Sequence, residues 1–405
     1  MSDRTTATDV PPMDIGIVAD KLNVSQGGSN FSLELIARTL VERGHDVSVL
    51  TVNFAHENDL PGASPFEVVE APVDGASRVG DAKAVYDTLV TYADRFDIYH
   101  VFNPALHPVA GAYRRRHDTP VVGRLNTYDI FCTNLALMDG ECHADCTVRK
   151  KFVHAEGGVA ERVPNVPKHT FDTYALPRLL NEMDRLFALS PQVSRMYQDV
   201  GVAEEQLALV PNFYDPAFGT ASDDARDLPG DRSLLYVGTL KPHKGVDLLV
   251  ESAAALPEET SVEIVGGGPQ RDALEELATS RGVADAVTFH GWVDHDELAP
   301  YYRGADVFVH PGLWPEPFNR TLLEAMQCDC PLVVSDIGAP PWVVEGCGLA
   351  FDRGDAADLS AQLRRLLTDE ARRSELAWGC VERLETFSPE RSVSLLETAY
   401  DELVS

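Results

Sequence analysis

Residues 313–336 read LWPEPFNRTLLEAMQCDCPLVVSD. Pro317 disfavours helical geometry at Glu316, so the spacing predicts a loop carrying Glu316 and a helix starting near Phe318 or Asn319. Glu324, eight positions after Glu316, then lies on that helix, roughly 6–8 Å along its axis at about 1.5 Å per residue. The helix is followed at once by the short apolar run PLVVSD, which reads as a buried strand. A carboxylate is an acceptor only, suited to the vicinal hydroxyls of a ribose or another sugar. The free N–H groups near Asn319 and Arg320 favour an anion. Diol, phosphate and diol along one helix is the outline of a folded nucleotide-sugar, although two carboxylates at this spacing also arise as one exposed and one capping group.

Moving outward, the same alternation of short apolar runs with amphipathic stretches fills most of the chain. MDIGIVAD, SNFSLELIARTLVERG and DVSVLTV read as strand, helix, strand, and the pattern continues through DIYHVF, TPVVGRL, RLFALS and LALV. It restarts at RSLLYVG and runs through SVEIVGGG, AVTFHGW, ADVFVHP and PLVVSD. This is the signature of parallel sheets with crossover helices, here two doubly wound α/β domains of Rossmann-like type. The polar stretch DPAFGTASDDARDLPGDR separates the series, which sets the expected domains at 1–215 and 216–387. Residues 388–405, with Ser388 as N-cap and Pro389 at the first helical position, form an expected last helix. Ligands in open α/β sheets collect at the carboxyl ends of strands, so two such domains facing each other would line one cleft.

Composition bounds the partners. The 405 residues carry 64 Asp plus Glu against 34 Lys plus Arg, and only seven of the latter are lysine. That surface repels nucleic acid and matches the usual make-up of a protein working in molar salt, so a halophilic source is expected. The opening MSDRTTATDVPPMD lacks a basic region followed by an apolar stretch, and no apolar run approaches the roughly 18 residues that span a bilayer, so a cytoplasmic chain is expected. Seven cysteines, an odd number, do not make a disulfide framework.

Several loops carry residues suited to chemistry. Gly27 and Gly28 precede the first helix, where a bare backbone and a helix N-terminus suit a phosphate or a hydroxyl; an ordinary flexible loop is the other reading. Lys241 and Lys244 follow the first strand of the second domain and suit a diphosphate, the alternative being solvated loop charges. The acidic run VDHDE at 293–297 reads as a helix start rather than a metal site, and no metal or other cofactor is expected in the chemistry. Cys132, Cys142 and Cys146, with His143 among them, permit a structural zinc but lack the spacing of a finger or ribbon. The cluster YRRRH, with Arg114, Arg115 and Arg116, and the run RKK at 149–151 read either as charge balance or as an acceptor-side surface. Such a surface would meet a lipid-linked phosphate and bring the N-terminal domain into peripheral contact with a membrane.

These motifs together resemble the retaining glycosyltransferases of family four, the glycosyl transferases group 1 type, whose fold is GT-B. VGTLKPHKG, VGGGP at 265–269, FHGWVDHDELAPYYRGADVFVHP and EPFNRTLLE carry the resemblance in the second half. In the first half it rests on GGSNFSLELIARTLVERGHDVSVLT, RLFALSPQVSRMYQDVGV and VPNFYD, and it covers roughly residue 13 to the end. The resemblance implies transfer of a sugar from a UDP- or GDP-sugar to a saccharide or lipid-linked hydroxyl, with retention. It implies that Glu316 contacts the transferred sugar, Glu324 the ribose hydroxyls and Lys244 the diphosphate, with Phe318, Asn319 and Arg320 at the donor. It also implies that the last helix returns to the first domain. Two positions depart from the pattern. Thr239 stands where the family has an arginine that partners the lysine, leaving Lys241 or Arg320 as substitutes, and Asn126 stands where the family has a histidine facing the donor sugar. A GT-B nucleotide-sugar epimerase, which would bind the same donor without an acceptor, is one alternative function, and the two departures motivate another, a non-catalytic sugar-binding relative.

Overall fold

A computed structural model describes residues 10–20, 22, 28–52, 64–71, 78–128, 147–154, 158–220 and 224–405. The chain divides into two compact units, Met1–Asn212 with Glu390–Ser405, and Phe213–Pro389.

In the first unit the described residues form seven parallel strands: β1 (Asp14–Ala19), β2 (Asp46–Thr51), β3 (Glu67–Glu70), β4 (Ile98–Val101), β5 (Val121–Leu125), β6 (Arg185–Ala188) and β7 (Leu207–Leu209). Their spatial order is β3-β2-β1-β4-β5-β6-β7, so the winding reverses between β1 and β4. The central strands are buried on both faces, which is why they read as continuous apolar runs. The edge strand β3 is half exposed and mixed in character, and the periodicity does not reveal it.

The closing helix Pro389–Val404 belongs to this unit from Glu390 onward. Tyr400, fully buried, has its hydroxyl 2.7 Å from Nδ1 of His100 on β4. Glu397, also buried, accepts from both Nε and Nη2 of Arg43 at 2.6 Å and lies 3.2 Å from Nε2 of His45. A bidentate guanidinium is one of the few partners that makes a carboxylate stable so far from water.

The second unit has six parallel strands: β8 (Arg232–Val237), β9 (Thr260–Val265), β10 (Val287–Gly291), β11 (Val307–His310), β12 (Leu332–Ser335) and β13 (Gly348–Phe351). Their order is β10-β9-β8-β11-β12-β13. The reversal falls between β8 and β11, and the loops leaving those two strands are 238–245 and 311–319. The unit starts at Phe213, a little before the expected boundary. Main-chain oxygens of Phe213 and Asp215 accept from Arg320 and Gln327, and Tyr214 N donates to Phe387 O. These bonds draw 213–215 into the second unit.

Candidate functional site

The loops at the β8/β11 switch point hold six of the residues singled out above, Thr239, Lys241, Lys244, Glu316, Phe318 and Asn319. After β8 the chain turns through a short 3-10 segment, Pro242–Lys244, and enters the next helix through Gly245 in the left-handed region, φ 66°. A Cβ on Gly245 would stand 2.0 Å from the Pro311 carbonyl oxygen, so only glycine lets the two loops touch main chain to main chain. Leu313 N donates to His243 O at 2.9 Å across the same contact. This packing brings Lys244 Nζ onto Glu316 Oε1 as an ion pair, with the two side chains 19% and 9% exposed. The Glu316 main chain is in turn seated on Gly338, φ 72°, where a Cβ would lie 2.6 Å from Glu316 N.

Burial pushes the Glu316 carboxyl up, but the charge of Lys244 and the hydrogen bond its ammonium donates hold it below the ordinary range. It is therefore ionised at neutral pH. His310, at the end of β11, is pushed down to about 4 by burial and stays neutral there.

The helix itself runs Arg320–Gln327 with Asn319 as N-cap, whose Oδ1 accepts from Thr321 N at 3.1 Å. Glu324, on its buried face, accepts from the Tyr302 hydroxyl at 2.8 Å and lies 3.3 Å from His295 Nε2. Burial pushes Glu324 up, and His295, Arg320 and Tyr302 reverse the sign, leaving it lowered. His295 is correspondingly raised: burial lowers it, but Glu324 outweighs that. The two carboxylates thus sit in separate settings on one short segment, one beside a lysine and one beside a histidine and a tyrosine.

Other residues fall differently. Phe318 is 2% exposed and its ring packs edge-on against Trp342 and Phe387. Its side chain is core, so the donor-side expectation for this residue rests on its main chain. The Arg320 guanidinium turns to the Phe213 carbonyl, 3.3 Å away, and to the charges of Glu324 and Asp215. Thr239 and Lys241 are exposed, and the Thr239 carbonyl accepts from the Tyr236 hydroxyl at 3.0 Å. The glycines of VGGGP are packing glycines in part. Cβ atoms on Gly266 and Gly268 would meet the carbonyls of Gly238 and Leu240 at 1.9 and 2.4 Å, whereas Gly267 faces open space. VDHDE opens a 3-10 turn, His295–Glu297, ahead of the helix Ala299–Gly304, and among the described residues no His/Cys/Asp/Glu group could hold a metal.

In the first unit Asn126 leaves the carboxyl end of β5. Its Nδ2 donates to Ser29 Oγ at 2.9 Å and to the Phe102 carbonyl at 3.0 Å. Gly28 opens the helix Gly28–Glu42, while Gly27, Cys132, Cys142 and Cys146 lie outside the described residues. The arginine cluster falls at the other edge of the sheet. Arg114 ends the helix His107–Arg114, which connects β4 to β5, so the cluster lies toward the amino ends of the strands, opposite Asn126. Arg114 Nε pairs with Asp184 Oδ2 at 2.6 Å, and that same oxygen accepts from Val121 N at the start of β5. Arg115 stands 3.9 Å from Glu182, and Arg116 donates to the Ala112 carbonyl. Arg114 thus braces the sheet's amino edge through Asp184, while Arg115 and Arg116 are exposed at that same edge.

Residues 222–378 match the family Glycosyl transferases group 1, and residues 26–218 match Glycosyltransferase Family 4. The chain is 28% identical over 415 residues to a D-inositol 3-phosphate glycosyltransferase of Thermomonospora curvata, covering 92% of this chain and 90% of that protein. A lipopolysaccharide core biosynthesis glycosyltransferase of Rhizobium meliloti is 30% identical over 48% of this chain and 57% of its own length. Among solved structures, sucrose-phosphate synthase of Thermosynechococcus elongatus superposes with a TM-score of 0.73 at 22% identity, covering 96% of this chain and 98% of that one. HepE of Anabaena, in complex with UDP and glucose, superposes at 0.70 with 18% identity over 95% and 98%.

Proposed function

The chain belongs to the glycosyltransferases, with a Family 4 first half and a group 1 second half on the GT-B fold, and from that premise we propose that it moves a sugar from a nucleoside diphosphate to a saccharide or lipid-linked hydroxyl with retention. The observation that carries the donor reading is the pair of buried carboxylates on 316–324, Glu316 facing Lys244 and Glu324 facing Tyr302 and His295. Glu324 accepts from the ribose hydroxyls. Lys244, with Lys241, Thr239 and the N–H groups at Phe318, Asn319 and Arg320, receives the diphosphate, and Glu316 orients the transferred sugar. Asn126 bonds a sugar hydroxyl as an amide, with Gly28 and Ser29 close to it. The acceptor oxygen forms its bond to the anomeric carbon as the bond to phosphate breaks, and the acceptor's proton leaves with the diphosphate. Positioning and stabilisation of the departing charge supply most of the rate, with no cofactor or metal in the step.

For the acceptor side we propose a surface other than the arginine cluster. Val153, Val159, Val163, Phe171 and Tyr174 are exposed on the short helices between 148 and 175, and Arg149 and Lys150 are exposed beside them. Of the nearby lysines Lys150 alone is exposed, Lys151 being buried and Lys168 paired with Asp172 at 2.6 Å, so Arg149 and Lys150 supply the surface charge in a chain of net charge −30. Apolar side chains rimmed by cations suit a peripheral approach to an anionic lipid-linked acceptor. No helix among the described residues is long and apolar enough to cross a membrane.

The test of the donor reading is a thermal-shift and product screen of UDP- and GDP-sugars in molar KCl, with and without saccharide acceptors. A new glycoside that forms only with acceptor supports transfer. Conversion of the donor to an isomer without acceptor makes the chain an epimerase, and a stabilising sugar with no turnover makes it a binding relative.

A further inference from the structure

Asn319 has φ 96° and ψ 110°, one of two non-glycine residues with positive φ among those described. Such a conformation costs a side-chain-bearing residue on the order of 1–3 kcal/mol and persists only where its surroundings over-determine it. Here the side chain does so. Oδ1 accepts from Thr321 N at 3.1 Å and from Thr321 Oγ1 at 2.8 Å, which fixes the amide's orientation. The remaining end, Nδ2, lies 3.1 Å from Nδ1 and 3.4 Å from Nε2 of His310. His310 is 3% exposed at the end of β11. Its ring lies against the main chain of Gly312, where a Cβ would stand 2.8 Å from Nε2, so the imidazole has one place to be.

We propose that His310 is a positioning residue for the transfer reaction: its imidazole holds the Asn319 amide, and the held amide keeps Asn319 in a backbone conformation that sets the first N–H groups of the Arg320–Gln327 helix toward the donor. The inference rests on the donor reading above. A histidine buried at the end of a strand is otherwise an expensive choice for a position that an apolar residue would fill.

The test is a cycle of His310→Phe and Asn319→Gly, singly and together, with His310→Gln as a conservative variant that keeps an acceptor. Binding of UDP and GDP by titration calorimetry, donor KM and kcat are measured on the full chain. With asparagine at 319, His310→Phe should raise the diphosphate Kd and donor KM about tenfold while kcat changes less, and His310→Gln should recover most of that loss. Glycine adopts positive φ unaided, so in the Asn319→Gly background the further effect of His310→Phe should fall below about twofold, whatever that background does alone. An equal loss in both backgrounds, or no loss in either, overturns the proposal. If the wild type binds neither diphosphate, the donor reading has failed instead. The same cycle in urea unfolding then still decides the coupling: a histidine effect on stability that does not depend on residue 319 overturns it.

Discussion

Replacing Lys244 by methionine removes the cation facing Glu316, and the structure sets both the size and the pH dependence of the result. Glu316 is 7% exposed. Without Lys244 the groups left to face it are His310 and His243, both lowered by burial, His310 to about 4. Breaking one side of a buried ion pair costs about 3–5 kcal/mol. Glu316 has an escape, however, because it can take up a proton. From its ordinary value of 4.5 to pH 7, that escape costs about 1.36 kcal/mol per pH unit, a ceiling of about 3.4 kcal/mol. At pH 5 the ceiling falls to about 0.7 kcal/mol. In the parent the folded carboxyl is lowered, so its stabilisation is present above the unfolded value and is lost as pH falls through the folded one. In the variant the folded carboxyl is raised, so stability should instead fall as pH rises from 5 to 8. Tryptophan fluorescence during urea unfolding is the assay, since Trp292, Trp314, Trp342 and Trp378 are the only tryptophans and all lie in the second unit. Adding Glu316→Gln to Lys244→Met should restore most of the loss. A cost under about 1 kcal/mol at pH 7, or an equal cost at pH 5 and 8, would refute the reasoning.

Three further outcomes are expected. Glu324→Gln should raise donor KM and weaken diphosphate binding by on the order of 1–2 kcal/mol, while Glu316→Gln should lower kcat and leave the free diphosphate bound as tightly or more so, because Lys244 is released; calorimetry on both variants reads the difference. Melting temperature should fall on dilution from 3 M to 0.1 M KCl as the screening length grows from under ~3 Å to about 10 Å, and a melting point unchanged across that range removes the halophile reading. Deleting residues 388–405 strips the first unit of Tyr400 and Glu397, so far-ultraviolet circular dichroism should show an early transition while the tryptophan signal of the second unit stays in place; coincident, unshifted transitions would contradict the packing described for that helix.

Much of the architecture was legible because buried parallel strands are written as apolar runs. VVGRL, RLFA, VFVH and LVVS appear in the structure as β5, β6, β11 and β12. Two edge strands, Glu67–Glu70 and Gly348–Phe351, were not, since an edge strand is half exposed and its alternation is too short to stand out. Pro317 correctly separated Glu316 from the helix that bears Glu324. The partners of those carboxylates were harder to find: His295 lies 29 positions from Glu324 and Lys244 lies 72 from Glu316, and no local period connects them. Only the strand order, by placing β8 beside β11, makes the second pair neighbours.

The arginine cluster shows that charge is a weaker guide to this site than position in the fold. Arg114 to Arg116 follow a helix and precede a strand, and in a parallel sheet such a position lies at the amino edge, away from the edge where ligands gather. Glu316, Lys244 and Asn126 each follow a strand. Position in the strand-helix alternation therefore discriminates better than charge does, even in a chain with so few cations that any cluster draws notice. Phe318 makes the complementary point. Its place in EPFNRTLLE suggested contact with a ligand, yet a large apolar side chain one residue before a helix cap is as well suited to anchoring that helix, and here it packs between Trp342 and Phe387. A motif thus mixes residues that touch a ligand with residues that hold the others still. The strain at Asn319 and the burial of His310 belong to the second kind, which becomes visible only once dihedral angles and exposures are known.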